Sequence, residues 1–496
     1  MFRRHSLFQA FGLVASLSIV SKLLGFVREA IIANYFGTSI AADLFYVAFI
    51  IPTIAFTVIG STARGRVLPL TIENMQQSPD QAHKILQGFI QLFLIIACII
   101  TVFILVGSQP LIQIIAPGFS NSEIRSATYL TSILSPLVII LTMASISQII
   151  YHAHESFTIP AVGPVVNNFL VILMIMLLHP YLGLYSLAVS VLIGGISQFA
   201  IQWINIPNKR LYFRKWDKQQ LVSSFKLLKP MVPILIATLA LQLNTLIDRL
   251  VASFLEEGSI AALNYSYRLL WIPLSILLIP ITTIIFPKLT QAFQHNQANY
   301  ETFIATGFKL ILLTSIPFMI VMLFDASHLV SMVYERGAFD AKATERTSYA
   351  FIFYTLGLLF IALREYFTQH FYIVKDYKTI AQVSVIGVLI NILGSICLAP
   401  ILSINGIALA TTLSMLFQAS YFYYLISRGY GLLNWPILIR VVLSFIIITF
   451  VIYLTRPYYQ NGDFITISIT SVITFALFYG VMKQTIHKTW HYLKGL

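Results

Sequence analysis

Ten lysines and arginines stand inside, or at the ends of, runs otherwise built from leucine, isoleucine, valine and phenylalanine: Lys22, Arg28, Arg64, Arg66, Lys229, Arg249, Arg268, Lys309, Arg364 and Arg440. Lys229 and Arg440 lie near the ends of their runs, where a long side chain can reach a polar boundary. The other eight share those runs with only four acids, Glu29, Asp43, Asp248 and Glu365, which leaves a net +4. A charge facing lipid at the middle of a bilayer costs at least about 2.5 to 3.5 kcal/mol, so these groups belong in a protein interior or a water-filled cavity. A basic interior suits an anion. The planar guanidinium fork suits phosphate or pyrophosphate oxygens in particular.

The remaining polar residues offer no catalysis. The stretch HAHE, His152 to Glu155, falls at a predicted helix end and lacks the helical spacing of a zinc protease motif. No nucleophile and base pair, phosphate-binding loop or metal-ligand spacing is present, so neither a cofactor nor a metal is expected. The two cysteines, Cys98 and Cys397, lie in separate apolar runs and are expected to be small packing residues.

The elements that hold these charges must cross a membrane. Of 496 residues, 58% are hydrophobic and 10% charged, and apolar runs of about 20 residues recur throughout, each able to span roughly 30 Å of hydrocarbon. An all-α integral membrane protein with fourteen transmembrane helices is expected. Their ranges are 8-36, 42-72, 84-107, 124-151, 158-178, 182-205, 227-254, 259-287, 302-324, 344-374, 379-398, 404-427, 436-455 and 464-482. The start resembles a signal peptide, but its apolar run continues through Lys22 and Arg28 to Gly37, so an uncleaved first helix is expected. With the N-terminus inside, sixteen basic residues fall in inward loops and five in outward ones: Arg125, Arg336, Lys342, Arg346 and Arg456. That asymmetry places both termini in the cytoplasm. It also explains much of the +13 net charge without a nucleic-acid partner.

The chain repeats itself. Arg28, Gly37 and Pro52 recur as Arg249, Gly258 and Pro273, each 221 residues on, and the same offset carries QIIYHAHESFTI from Gln148 onto QHFYIVKDYKTI from Gln369. Six helices per copy make the two copies parallel, with two helices left over. The expected divisions are 1-206, a cytoplasmic linker at 207-226, 227-428, and a last pair of helices in 429-496. The linker carries NKRLYFRKWDK, a basic stretch that suits either solvent or anionic lipid head groups.

Depth follows from the turn glycines. At about 1.5 Å per residue, Arg28 and Arg249 lie about 13 Å from the outer end, Arg268 about 15 Å and Lys22 about 22 Å. Arg64 and Arg66 fall near the inner end, completing a basic path to the midplane. Glu29 shares a helix face with Lys22 and is expected to neutralise Lys22 or a residue of a facing helix. Asp43 aligns with Asn264 in the repeat, making that position polar twice. Asp248 beside Arg249 is open to a structural ion-pair reading, and Arg364 with Glu365 is placed among the polar supports of the cavity.

The stretch SKLLGFVREAIIANYFGTSIAADLFYVAF resembles the first two helices of the MurJ (MviN) lipid II flippases, bacterial members of the MOP exporter superfamily. APGF at 116-119, FTIPAVGPVVNN at 157-168, YSYRLLWIPLSILLIPITTIIFPKL at 265-289 and YERGAFDAKAT at 334-344 extend the likeness over most of the chain. The resemblance implies two six-helix bundles around a V-shaped central cavity, and helices 13 and 14 forming a groove for a lipid tail. It implies transfer of lipid II, an undecaprenyl-pyrophosphate-linked disaccharide-pentapeptide, to the outer face of a bacterial plasma membrane. The family's functional cations in helix 1 match Lys22 and Arg28, its acid at the start of helix 2 matches Asp43, and its arginine in helix 8 matches Arg268. The chain departs from the family in helix 2, where TIAFTVIGSTARGR replaces an Arg-Arg pair followed by Glu-Gly, and at Trp271, where an acid is common.

Alternating access is the expected mechanism, with membrane potential or a counter-ion driving release. An exporter of another lipid-linked oligosaccharide, such as a teichuronic-acid or exopolysaccharide precursor, and a membrane enzyme modifying polyprenyl lipids are the competing readings. A drug exporter of the MATE type fits a net basic interior less well.

Overall fold

The computed structural model describes residues 7-206, 217-228, 232-280, 285-295, 297-430, 435-458 and 463-494. The described residues are overwhelmingly helical. Among them nine helices are long and apolar enough to cross a membrane, or ten if one bent pair counts as a single span. The protein is a multi-pass integral membrane protein. Arg3, Arg4, Lys229 and most of the basic linker, 207-216, lie outside the described residues.

The chain forms two compact units, Met1–Ala261 and Ala262–Leu496. The first contains α1 (Leu7–Phe36), α2 (Ile40–Thr62), α3 (Leu68–Gln77), α4 (Pro79–Ile115), α5 (Asn121–Leu134), α6 (Leu137–Ala153), α7 (Thr158–Leu182), α8 (Tyr185–Ile204), α9 (Lys218–Leu228) and α10 (Val232–Ala252). Its core is the seam of α2, α4 and α6, where Ile59, Phe89, Phe93, Ile146 and Ile150 are buried together. Tyr151 closes the seam by donating from its hydroxyl to the carbonyl of Gln202 at 2.8 Å. The α5 start is a reciprocal cap: Glu123 N donates to Ser120 Oγ at 3.5 Å and Ser120 N donates to Glu123 Oε2 at 2.6 Å.

The second unit takes in most of α11 (Ser259–Pro280), then α12 (Phe286–His295), α13 (Gln297–Phe324), α14 (Ala326–Tyr334), α15 (Ala341–Leu356), α16 (Leu358–Ile373), α17 (Tyr377–Leu402), α18 (Ile404–Tyr430), α19 (Trp435–Thr455) and α20 (Asp463–Lys494). Small residues let α17 and α18 approach closely: a Cβ on Gly394 would lie 2.9 Å from that of Ala410. Across the same pair Asn391 Nδ2 donates to Thr411 Oγ1 at 2.9 Å, and Ser414 Oγ to the Gly387 carbonyl at 2.6 Å. Helix α20 packs against α13, with Phe318 and Phe475 edge to face.

Several predicted helices are broken. The range 124-151 is two helices parted at Ser135 and Pro136. The range 344-374 becomes α15 and α16, bent by 44°. The range 42-72 contains a π-helical turn, Ala63–Val67, that carries Arg64 and Arg66. Such a turn re-aims the side chains on it and is common at functional sites. Cys98 and Cys397 are exposed on α4 and α17 rather than packed inside. A small apolar thiol loses little by facing an apolar solvent.

The backbone itself echoes the sequence repeat. Left-handed φ angles occur at Gly37 and Gly258, at Glu155 and Lys375, and at Gly183 and Ser403. The members of each pair stand 220 or 221 residues apart. Gly183 and Ser403 end α7 and α17 with nearly the same geometry, φ 49° with ψ -124° and φ 53° with ψ -136°.

Candidate anion-binding site

In the first unit α1 packs against α7, with Gly25 facing Asn168. One turn further along, Arg28 donates from Nη1 to Asn168 Oδ1 at 3.1 Å and from Nη2 to Glu29 Oε1 at 2.9 Å. Asn168 is itself oriented, donating from Nδ2 to the Ser21 carbonyl at 3.1 Å. Glu29, 3% exposed, also accepts from the hydroxyl of Tyr46 on α2 at 2.9 Å. The sequence points to Lys22 or a facing-helix residue as the charge that Glu29 neutralises; the structure pairs it with Arg28 of its own helix, and its facing-helix contact is the uncharged Tyr46 hydroxyl. Arg28 keeps 17% of its side chain exposed, so the residue is braced on two sides without being sealed off. This arrangement holds a cation at fixed orientation in an apolar setting, where a hydrogen bond to a charged group is strong.

Asp43 is 2% exposed and spends its carboxylate on a helix start. Its Oδ2 accepts from Gly258 N at 2.8 Å and its Oδ1 from Ala261 N at 2.7 Å. These amides belong to the four orphan donors and the positive dipole end of α11. The favour is returned at the start of α2, where Ile40 N donates to Glu257 Oε1 at 2.8 Å. The two turns touch closely: a Cβ on Gly258 would sit 1.9 Å from the Thr38 carbonyl oxygen. A third turn joins them, with Gly118 N donating to Ser253 Oγ at 3.2 Å.

Arg249 lies within this junction. Its guanidinium carbon is 5.9 Å from the centroid of the Tyr46 ring and its Nη1 donates to the Ile260 carbonyl at 3.4 Å. Asp248 beside it is half-buried. Lys22 and Arg64 are exposed; the Arg64 guanidinium lies near Gly60. The Arg66 side chain lies outside the described residues. In the second unit Arg268 is exposed and Asn264 half-buried on α11. Arg364 is buried, paired with Glu365 and donating from Nε to Gln418 Oε1 of α18 at 3.3 Å.

The structure thus joins Arg28, Glu29, Asp43 and Arg249 in one polar chain of the first unit and sets Arg364 and Glu365 in a separate one of the second. Asn168, Tyr46, Glu257 and Gln418 complete these groups and were not singled out by sequence. Asn168 had a usable signal, as one of two consecutive asparagines inside an apolar helix. Tyr46 and Glu257 had none, since an aromatic in a membrane helix reads as packing and a glutamate beside a turn glycine reads as solvated.

Braced cations inside a helical membrane protein suit the handling of an anion, and the comparisons place the chain in a class of membrane transporters. The chain matches the family model described as Lipid II flippase MurJ over residues 32–477. It belongs to the MurJ family of lipid II flippases. The Lipid II flippase MurJ of Burkholderia cenocepacia is 26% identical over 423 residues, covering 82% of this chain and 81% of that protein. A solved structure of lipid II flippase MurJ in an inward closed conformation superposes with a TM-score of 0.84 at 24% identity, covering 96% of this chain and 99% of that one. An inward-facing MATE family multidrug transporter shares the fold, with a TM-score of 0.71 at 12% identity over 85% of this chain and 98% of that one.

Proposed function

We propose that this protein flips lipid II, the undecaprenyl-pyrophosphate-linked peptidoglycan precursor, from the cytoplasmic to the outer face of a bacterial plasma membrane by alternating access. Two parallel six-helix repeats, 1-206 and 227-428, move about the site, joined through 207-226, while the helices of 429-496 take the lipid tail. Both termini are cytoplasmic. Arg64 and Arg66 receive the head group near the inner end, and Lys22, Arg28, Arg249 and Arg268 act on its pyrophosphate. Arg364 and Glu365 steady α16 from within, while Asp43, Asn264 and Asp248 supply polar support nearer the outer end. Membrane potential or a counter-ion resets the cycle.

The observation that carries this reading is the state of Arg28: a guanidinium oriented by Asn168 and Glu29 on a side chain that stays partly exposed, which suits a pre-organised anion contact. The double cap of Asp43 and Glu257, with Arg249 beside it, acts in this reading as the outer lock of the inward-loading state.

The experiment is depletion of the endogenous flippase with this protein as the only replacement, reading lipid II exposed at the outer face. Wild-type protein should restore exposure, and Arg28→Ala and Arg268→Ala should each fail. Restoration by both variants would remove the anion-site proposal, and no restoration by the wild type would remove lipid II as the substrate.

A further inference from the structure

The geometry points to Tyr46 as a relay that couples occupancy of Arg28 to release of the contact between the α1–α2 and α10–α11 turns. This rests on the reading that Arg28 meets the pyrophosphate and that the turns form the outer lock.

Four groups stand in series within the first unit. Arg28 Nη2 donates to one oxygen of Glu29 at 2.9 Å, and the other oxygen accepts from the Tyr46 hydroxyl at 2.9 Å. The Tyr46 ring lies 5.9 Å from the Arg249 guanidinium, within cation–π range. Arg249 then donates to the carbonyl of Ile260, a residue of the turn whose Gly258 and Ala261 amides Asp43 holds. Tyr46 and Asp43 are three residues apart on α2 and share a face. Glu29, Asp43 and Tyr46 are all at most 5% exposed, so each link acts with little solvent screening.

Loading an anion changes the first link. A pyrophosphate competes with Glu29 for the Arg28 donors. Glu29, relieved of one donor, then draws harder on the Tyr46 hydroxyl. The phenol shifts toward α1, which loosens its ring from Arg249 and strains the face of α2 that presents Asp43. The empty transporter keeps the turns together, and the loaded one weakens them. Arg28 touches substrate; Tyr46 is a positioning residue acting through Glu29 and Arg249.

The test uses full-length protein in lipid nanodiscs, with Cys98→Ser and Cys397→Ser removing both native thiols and Thr38→Cys reporting on the turn contact. A membrane-impermeant maleimide is added with and without purified lipid II. In this background lipid II should speed labelling at least about fivefold, the lower end of typical coupling between sites. Tyr46→Phe keeps the ring over Arg249 and removes the hydroxyl. It should lose most of the acceleration while lipid II binding, measured separately, stays within about threefold. Adding Glu29→Gln to Tyr46→Phe should cost nothing further, because the two act in series. An undiminished acceleration in Tyr46→Phe, or additive losses in the double variant, would overturn the relay. Should Tyr46→Phe not fold, Glu29→Gln breaks the preceding link and is read the same way. No acceleration in the Thr38→Cys reporter with Tyr46 intact would instead overturn the lock reading itself, and the relay with it.

Discussion

Arg28 is the residue on which the chemistry converges, and its neighbours set what it can do. Asn168 accepts from it and aims it, so Asn168→Ala should weaken lipid II binding roughly tenfold, the scale of one hydrogen bond to a charged group. Thermal stability should change little, because Glu29 still balances the charge; a titration of lipid II binding beside a melting curve separates the two. A second buried charge makes a different prediction. Asp325, between α13 and α14, is fully buried, and burial pushes its carboxyl above the ordinary carboxylate range against the opposing pull of the Thr470 hydroxyl and of Arg456, 3.6 Å away. Between the ordinary and the raised value the folded chain holds a proton that the unfolded chain has lost. Stability therefore falls as pH rises through that window and stays lower above it. Asp325→Asn removes the titration and should flatten this pH dependence, any gain over the wild type appearing above the window and vanishing below it. Melting curves across that range check the sign. At this scale the sequence exposed Arg28, Glu29 and Asp43, since charges in apolar runs are conspicuous. Tyr46 and Asn168 stayed hidden because their roles depend on which helix faces them.

Helices and turns carry the next set of consequences. Gly258 has φ 83° and no room for a Cβ against Thr38, so it combines a left-handed backbone with a backbone contact. Gly258→Ala should strain the turn by about 1 to 2 kcal/mol and part it from the α1–α2 turn. Basal maleimide labelling of Thr38→Cys should then rise without any lipid II. Glu257→Gln should open the same contact less, because an amide oxygen still accepts from Ile40 N while the charge on the α2 dipole is gone. Hydropathy located the apolar runs but gave fourteen spans, where nine or ten among the described residues are long and apolar enough to cross a membrane, and it did not show where the runs break. The α15–α16 bend occurs at Gly357, where a Cβ would meet Thr412 Oγ1 of α18 at 2.7 Å. That contact is tertiary, and the apolar pattern runs through the bend unchanged. The Pro136 break and the π-helical turn around Arg64 likewise leave the local hydropathy intact.

The orientation proposed for the whole molecule rests on loop charge. A cysteine placed at Arg336 should react with an impermeant maleimide in intact cells, and tags at either terminus should be reachable only after lysis; the opposite pattern would invert the proposed topology. The sequence repeat was legible at that level because identities at fixed spacing survive in turns. The three pairs of left-handed residues extend it to backbone shape where identity has been lost. Only the Gly37 and Gly258 pair is glycine twice; Glu155, Lys375 and Ser403 adopt the same handedness with side chains that disfavour it. Ancestral geometry has here outlived the residue best suited to it, and it leaves a practical opening. Glu155→Gly, Lys375→Gly and Ser403→Gly each relieve about 1 kcal/mol of backbone strain, none touching Arg28 or its partners. Combined, they should give a transporter that survives detergent longer at full activity, a sturdier starting point for capturing the loaded state.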